Sequence, residues 1–162
     1  MKLLPTKRYK RIYDIPIEVL KQLNIRLVLA DMDNTLAPWH SDSVAQESVA
    51  WVKKVQSENI TVGLLTNSKG SNADNIGRKL NIPVFKNAKK PFKSQTKRLL
   101  KELGFLSNET LIVGDQLFTD ILLANKIKAK SVLVEPLSPN EWWATKVFNR
   151  TRERLVWKFL FK

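Results

Sequence analysis

Two aspartates separated by one residue, Asp31 and Asp33, follow the short run Arg26-Leu27-Val28-Leu29-Ala30 and precede Asn34-Thr35-Leu36. Residues two apart on an extended chain face one side, and a loop leaving the strand can aim both carboxylates at one pocket. There one could attack a phosphorus atom while the other handles the leaving-group proton. An Asp-x-Asp alone is weak, because Asp and Asn also serve turns and caps. After an apolar run and before Asn-Thr-Leu it is far more specific.

Three further positions share this theme. Thr66-Asn67 closes the run Ile60 to Leu65, and a hydroxyl with nearby amides can hold phosphate oxygens or, equally, cap a helix. Lys90-Pro91 places a lysine where it can neutralise phosphate and an adjacent aspartate, although Lys89, Lys93 and Lys97 make the whole neighbourhood basic. In Gly114-Asp115-Gln116-Leu117-Phe118-Thr119-Asp120 the glycine permits a tight turn that frees Asp115 to face a pocket. Mg²⁺ takes oxygen ligands in octahedral geometry, commonly one or two carboxylates with waters and phosphate oxygens, and Asp31 with Asp115 supplies them. Asp120 and Thr119 are open to a plainer role as helix caps.

These residues need a scaffold that brings distant strand ends together. The runs Arg26–Ala30, Ile60–Leu65, Ile82–Phe85, Thr110–Val113 and Ser131–Val134 read as strands. Between them the sequence predicts helices from Val44 to about Val55, Asn72 to Leu80, Pro91 to Gly104 and Thr119 to about Lys126. Ser43 with Gln46 has the spacing of a capping box, and Pro91 suits a first helical turn. Repeated βα units predict an α/β fold, a three-layer Rossmann-like domain with a central parallel sheet. In such sheets ligands bind beyond the carboxyl ends of the strands, where all four groups fall. The 162 residues suit one domain.

Composition bounds the partners. There is no cysteine, which excludes disulfides and thiol chemistry. No apolar run reaches the roughly 18 residues that span a bilayer. The N-terminus lacks the apolar stretch of a signal peptide, so a cytoplasmic location is expected. A formal charge of +13, from 28 Lys+Arg against 15 Asp+Glu, favours anionic partners: a phosphorylated substrate, an acidic membrane surface or nucleic acid.

The four groups together resemble the haloacid-dehalogenase (HAD) superfamily: ADMDNTL its first motif, LLTNS its second, the lysine of AKKP its third and GDQLFTD its fourth. The resemblance implies that Asp31 is the nucleophile, forming an aspartyl-phosphate, and that Asp33 is the general acid/base. It implies phosphoryl binding by Thr66, charge stabilisation by Lys90, and Mg²⁺ held by Asp31, the Asp33 carbonyl and Asp115. Asn67 is a further candidate phosphate ligand, and Asp120 matches the second acid of the last motif, whose role varies. The N-terminal LLPTKRYKRIYDIPIEVL, Ala37-Pro38-Trp39 and the C-terminal NRTRE look like the YqeG-like branch of subfamily IIIA. That branch is similar to phosphatases that convert phosphatidylglycerophosphate to phosphatidylglycerol, which makes this lipid the expected substrate. A soluble ester or phosphoprotein is the alternative within the same chemistry, and a basic RNA- or ribosome-associated module the alternative outside it.

Neither Leu36–Thr66 nor Thr66–Lys90 leaves room for a folded cap, so an open site is expected. The segment 141–162, read as a helix, carries Lys146, Arg150, Arg154 and Lys158 at four-residue steps opposite Ala144, Phe148, Leu155 and Phe159. Such a helix could pack on the domain, lie peripherally on the inner face of an anionic membrane, or contact nucleic acid. His40, the sole histidine, is expected in a solvated loop.

Overall fold

A computed structural model describes residues 3–138. The basic aromatic segment 141–162, with the helix expected there, lies outside the described residues.

The chain runs β1 (Lys7–Tyr9), α1 (Ile17–Gln22), β2 (Leu27–Ala30), α2 (Gln46–Ser57), β3 (Thr61–Leu65), α3 (Asn72–Leu80) and β4 (Val84–Phe85). It continues with α4 (Lys93–Leu103), β5 (Thr110–Gly114), α5 (Leu122–Ile127) and β6 (Lys130–Val134). One 6-stranded sheet forms in the order β1-β6-β5-β2-β3-β4, and every pairing in it is parallel. From β2 the chain adds β3 and β4 on one side, then crosses over to place β5 and β6 on the other. That reversal flanks β2 and opens a crevice at its carboxyl end.

The apolar strands are buried on both faces, which is why they read as continuous runs. Val28 and Ala30 point into one core with Trp51, Val52 and Val55 of α2 and Ile76 and Leu80 of α3. Leu27 and Leu29 point into the other, with Leu100 of α4 and Leu123 and Ile127 of α5. The buried Trp51 indole donates to the Ile15 carbonyl at 2.8 Å, so its polar edge is satisfied while the ring fills the core.

Two local expectations are corrected. Ser43 and Gln46 form no capping box: Gln46 is the first helical residue, Ala45 is the cap, and no side-chain cap bond is made. The Ser43 amide is instead held by the Ser41 hydroxyl at 3.0 Å, which keeps this stretch in a turn. Pro91 does not open α4 either. The Lys90–Pro91 peptide is cis, a turn closes from the Phe92 amide to the Lys89 carbonyl at 2.8 Å, and Phe92 caps a helix that begins at Lys93. Gly104 ends that helix as expected, at φ 74°, where a side chain would be disfavoured. No cap domain interrupts the described residues, and no described helix is long and apolar enough to cross a membrane.

Candidate active site

The loop after β2 is coiled around one carbonyl. The Asp31 amide still pairs with Val113 of β5 at 2.8 Å, as the last rung of the sheet. The Met32 carbonyl then accepts from the amides of Thr35, Leu36 and Ala37 at 3.3, 3.0 and 3.1 Å, and Asn34 takes φ 60°. This tight coil turns the two carboxylates of Asp31 and Asp33 into one pocket. Its wall also includes Thr66, Asn67, Lys90, Gln116, Thr119 and Trp39, around a volume of about 120 Å³.

The floor is a buried ionic cluster. The Lys90 ammonium, 3% exposed, donates to Asp31 Oδ1 at 2.5 Å, to Asp120 Oδ1 at 2.7 Å and to the Leu65 carbonyl at 2.9 Å. Three donors meet three acceptors, so the ammonium is saturated by protein. Burial opposes its charge, but the Asp120 and Asp31 carboxylates more than offset this and raise its pKa above the ordinary lysine value. Asp31 is pushed up to about 7, first by burial and then by Asp120 and Asp33, with Lys90 pulling against them. Asp33 is also raised by burial, moderated by His40, whose main-chain amide it accepts, and by Lys90.

Each partner is itself held. The Asn67 side chain grips the Lys90 backbone from both sides, donating to its carbonyl at 3.0 Å and accepting from its amide at 2.7 Å. The Thr66 hydroxyl accepts from the Ser68 amide at 3.0 Å, which orients it at the pocket wall. Asp120 has one oxygen on Lys90 and the other on the Gln116 amide at 3.3 Å, so it both ties down the loop after β5 and neutralises the lysine. Gly114 makes this geometry available: a Cβ there would collide with the Asp120 carboxyl.

The donor set fits a hard divalent cation. Asp31, Asp115 and Asp120 each place a carboxylate oxygen within 4.8 Å of the others, and all three are buried. With both Asp120 oxygens engaged by protein, Asp31 and Asp115 are the carboxylates best placed as ligands, and Asp120 acts on the charge of the cluster. All seven residues expected from the sequence therefore gather at this one end of the sheet. Sequence reasoning did not single out Trp39, Ser68, Gln116 or Thr119 as pocket residues, although each adjoins a motif residue. His40 lies exposed, as expected, but its ring meets that of Trp39 at 4.0 Å between centroids.

A parallel sheet with an Asp-x-Asp loop at its switch point, and a lysine and acidic pair facing it, defines a HAD-type phosphatase, a phosphoric monoester hydrolase. Residues 1–137 match the mitochondrial PGP phosphatase family, and the chain belongs to it. Over 153 residues it is 28% identical to the Bacillus subtilis protein described as "Probable phosphatase YqeG", covering 94% of this chain and 88% of that one. It is 32% identical to the chloroplastic/mitochondrial phosphatidylglycerophosphate phosphatase 1 of Arabidopsis thaliana over 149 residues, covering 85% of this chain and 42% of that protein. The fold is similar to that of 3-deoxy-D-manno-octulosonate 8-phosphate phosphatase from Moraxella catarrhalis, solved with magnesium and phosphate ions. There the TM-score is 0.55 at 13% identity, over 74% of this chain and 82% of the other.

Proposed function

We propose that this phosphatase removes the terminal phosphate of phosphatidylglycerophosphate through an aspartyl-phosphate on Asp31, with Mg²⁺ as its metal. The observation that carries the chemistry is the buried Lys90 bridging Asp31 and Asp120 beneath a pocket walled by Asp33 and Thr66. A carboxylate so held is aimed as a nucleophile and kept from swinging away.

In the first step an Asp31 oxygen bonds to phosphorus as the bond to the leaving oxygen breaks, and Asp33 gives that oxygen its proton. The raised pKa of Asp33 suits an acid that must arrive protonated. In the second step Asp33 takes a proton from water, the water oxygen bonds to phosphorus, and the Asp31 carboxylate is restored as inorganic phosphate leaves. Thr66 holds a phosphoryl oxygen, while the Asn67 clamp fixes Lys90 against the charge that develops. Mg²⁺, when bound by Asp31, the Asp33 carbonyl and Asp115, supplies further neutralisation of nucleophile and phosphate.

The substrate reading is supported by the family, by the named activity of the Arabidopsis relative and by the open, capless site. An uncovered pocket suits a phosphate presented on a membrane surface, and the formal charge of +13 suits an anionic one. Phosphate release from phosphatidylglycerophosphate in detergent, set beside a panel of soluble phosphate esters and a phosphopeptide, tests it. Preference for the lipid, with dependence on Mg²⁺ and Asp31, is expected; preference for a soluble ester would remove the lipid and keep the enzyme.

A further inference from the structure

Beside the pocket, two residues beyond Lys90, Phe92 is 68% exposed, the most exposed large apolar side chain among the described residues. A lone exposed apolar residue needs no explanation. Its surroundings distinguish this one. The stretch from residue 86 to residue 101, KNAKKPFKSQTKRLLK, contains no acidic residue. Lys89 and Lys93 are exposed on either side of Phe92, and Lys97 follows one turn along α4. From α5, Lys126 sets its ammonium 5.9 Å from the Phe92 ring centre and 3.4 Å from the Pro91 carbonyl. None of these four lysines enters an ion pair among the described residues.

At the opposite end of α4 the 64%-exposed Leu106 offers an internal comparison. Its amide is held by the Glu109 carboxylate at 2.9 Å, and Glu102 lies on the adjoining helical turn. Similar apolar exposure is thus flanked by exposed lysines at the pocket end and accompanied by carboxylates at the far end.

We propose that Phe92, with Lys89, Lys93 and Lys126, is the surface by which the domain docks on an anionic phospholipid bilayer. An exposed aromatic ring flanked by lysines matches the boundary between headgroups and acyl chains: the ring enters the boundary and the amines stay at the level of the phosphates. Because Lys90 lines the pocket and Phe92 follows it closely, docking here presents the carboxyl ends of the strands to the bilayer. The functional meaning rests on the lipid-phosphatase reading, since the surface would then deliver a headgroup phosphate to Asp31; the docking itself is measured without turnover.

The test is sedimentation of the full chain with vesicles of phosphatidylcholine alone, or mixed equally with phosphatidylglycerol, at low and moderate salt. Wild-type protein is expected to partition onto the mixed vesicles only. Lys89→Ser combined with Lys93→Ser should lower that partitioning about 25-fold, at about fivefold for each lysine near the surface. Phe92→Ser should lower it about fivefold, and Leu106→Ser should change it less than about twofold. Turnover of a small soluble phosphate ester should persist in all three variants and shows that they fold. Wild-type partitioning in both the Phe92 and the lysine variants would overturn the proposal and pass the role to other basic parts of the chain, such as segment 141–162. Tighter capture by single-stranded RNA than by vesicles, lost in the same variants, would also overturn it. Docking that survives alongside failure to hydrolyse the lipid would refute only the substrate reading.

Discussion

The two ends of the parallel sheet carry very different kinds of charge. At the amino ends of β2, β5 and β6 a cavity of about 550 Å³ is lined by Lys21, Asn24, Arg26, Asn108, Glu109 and Lys130. Arg26 meets Glu109 only loosely at 3.7 Å and Lys21 reaches Glu58 at 2.7 Å, and both cationic side chains are more than half exposed. At the carboxyl ends a cavity of about 120 Å³ has a floor of buried charges in direct contact. The larger space holds solvated groups that water screens, whereas the smaller one holds groups whose fields act on whatever enters. Convergence and burial of charge, more than volume, mark where this fold can do chemistry.

The largest expected effect comes from the centre of the small cavity. Asp31→Asn should reduce phosphatase turnover to background, measured by phosphate release. The same change should raise the thermal stability of the metal-free protein at neutral pH. The folded state raises Asp31 to about 7 from its ordinary value of 3.8, so it binds that proton more tightly than the unfolded chain. The associated stability is complete below about pH 4 and is lost as pH rises towards 7. Thermal melts of the metal-free wild type across this window should therefore decline more steeply than those of Asp31→Asn. Added Mg²⁺ should recover the loss in the wild type by binding the folded state.

Next in size is Lys90→Met, which leaves two buried carboxylates without their cation. It should destabilise the fold by about 3–5 kcal/mol, read from denaturant melts, and abolish turnover even where the protein remains folded. Gly114→Ala should follow, since the added Cβ must displace Asp120; about 1–3 kcal/mol of stability and a several-fold loss of turnover are expected. The smallest effect belongs to the large cavity. Arg26→Ala should change turnover less than twofold and stability by under about 1 kcal/mol, and a larger loss of turnover there would break the contrast between the two ends.

Much of this arrangement was legible in the sequence because three of the motif residues close apolar runs. Asp31, Thr66 and Asp115 follow β2, β3 and β5 directly, and a parallel sheet buried on both faces makes such runs conspicuous. The edge strand β1 was not assigned: its three residues, Lys7–Tyr9, are exposed or half-buried, with no apolar alternation, and take their register from pairing with β6. Nor could spacing reveal that Asn67 clamps the Lys90 backbone, or that Asp120 reaches Lys90 from 30 residues away. A helix-capping aspartate and a charge-pairing one look alike in sequence; here Asp120 pairs Lys90 and accepts from the Gln116 amide, while α5 takes no side-chain cap bond. The local errors at Ser43 and Pro91 share a cause, because turn hydrogen bonds to Ser41 and Lys89 override a helix-start signal.

The most direct test of the central claim is to quench the protein in acid during turnover with Mg²⁺ and map the phosphorylated peptide by mass spectrometry. A hydroxylamine-labile phosphate on Asp31, absent from Asp31→Asn and absent when divalent metal is chelated, is predicted. Sustained turnover with no phosphate on Asp31, or with the label on Asp33 or Asp115, would contradict the account.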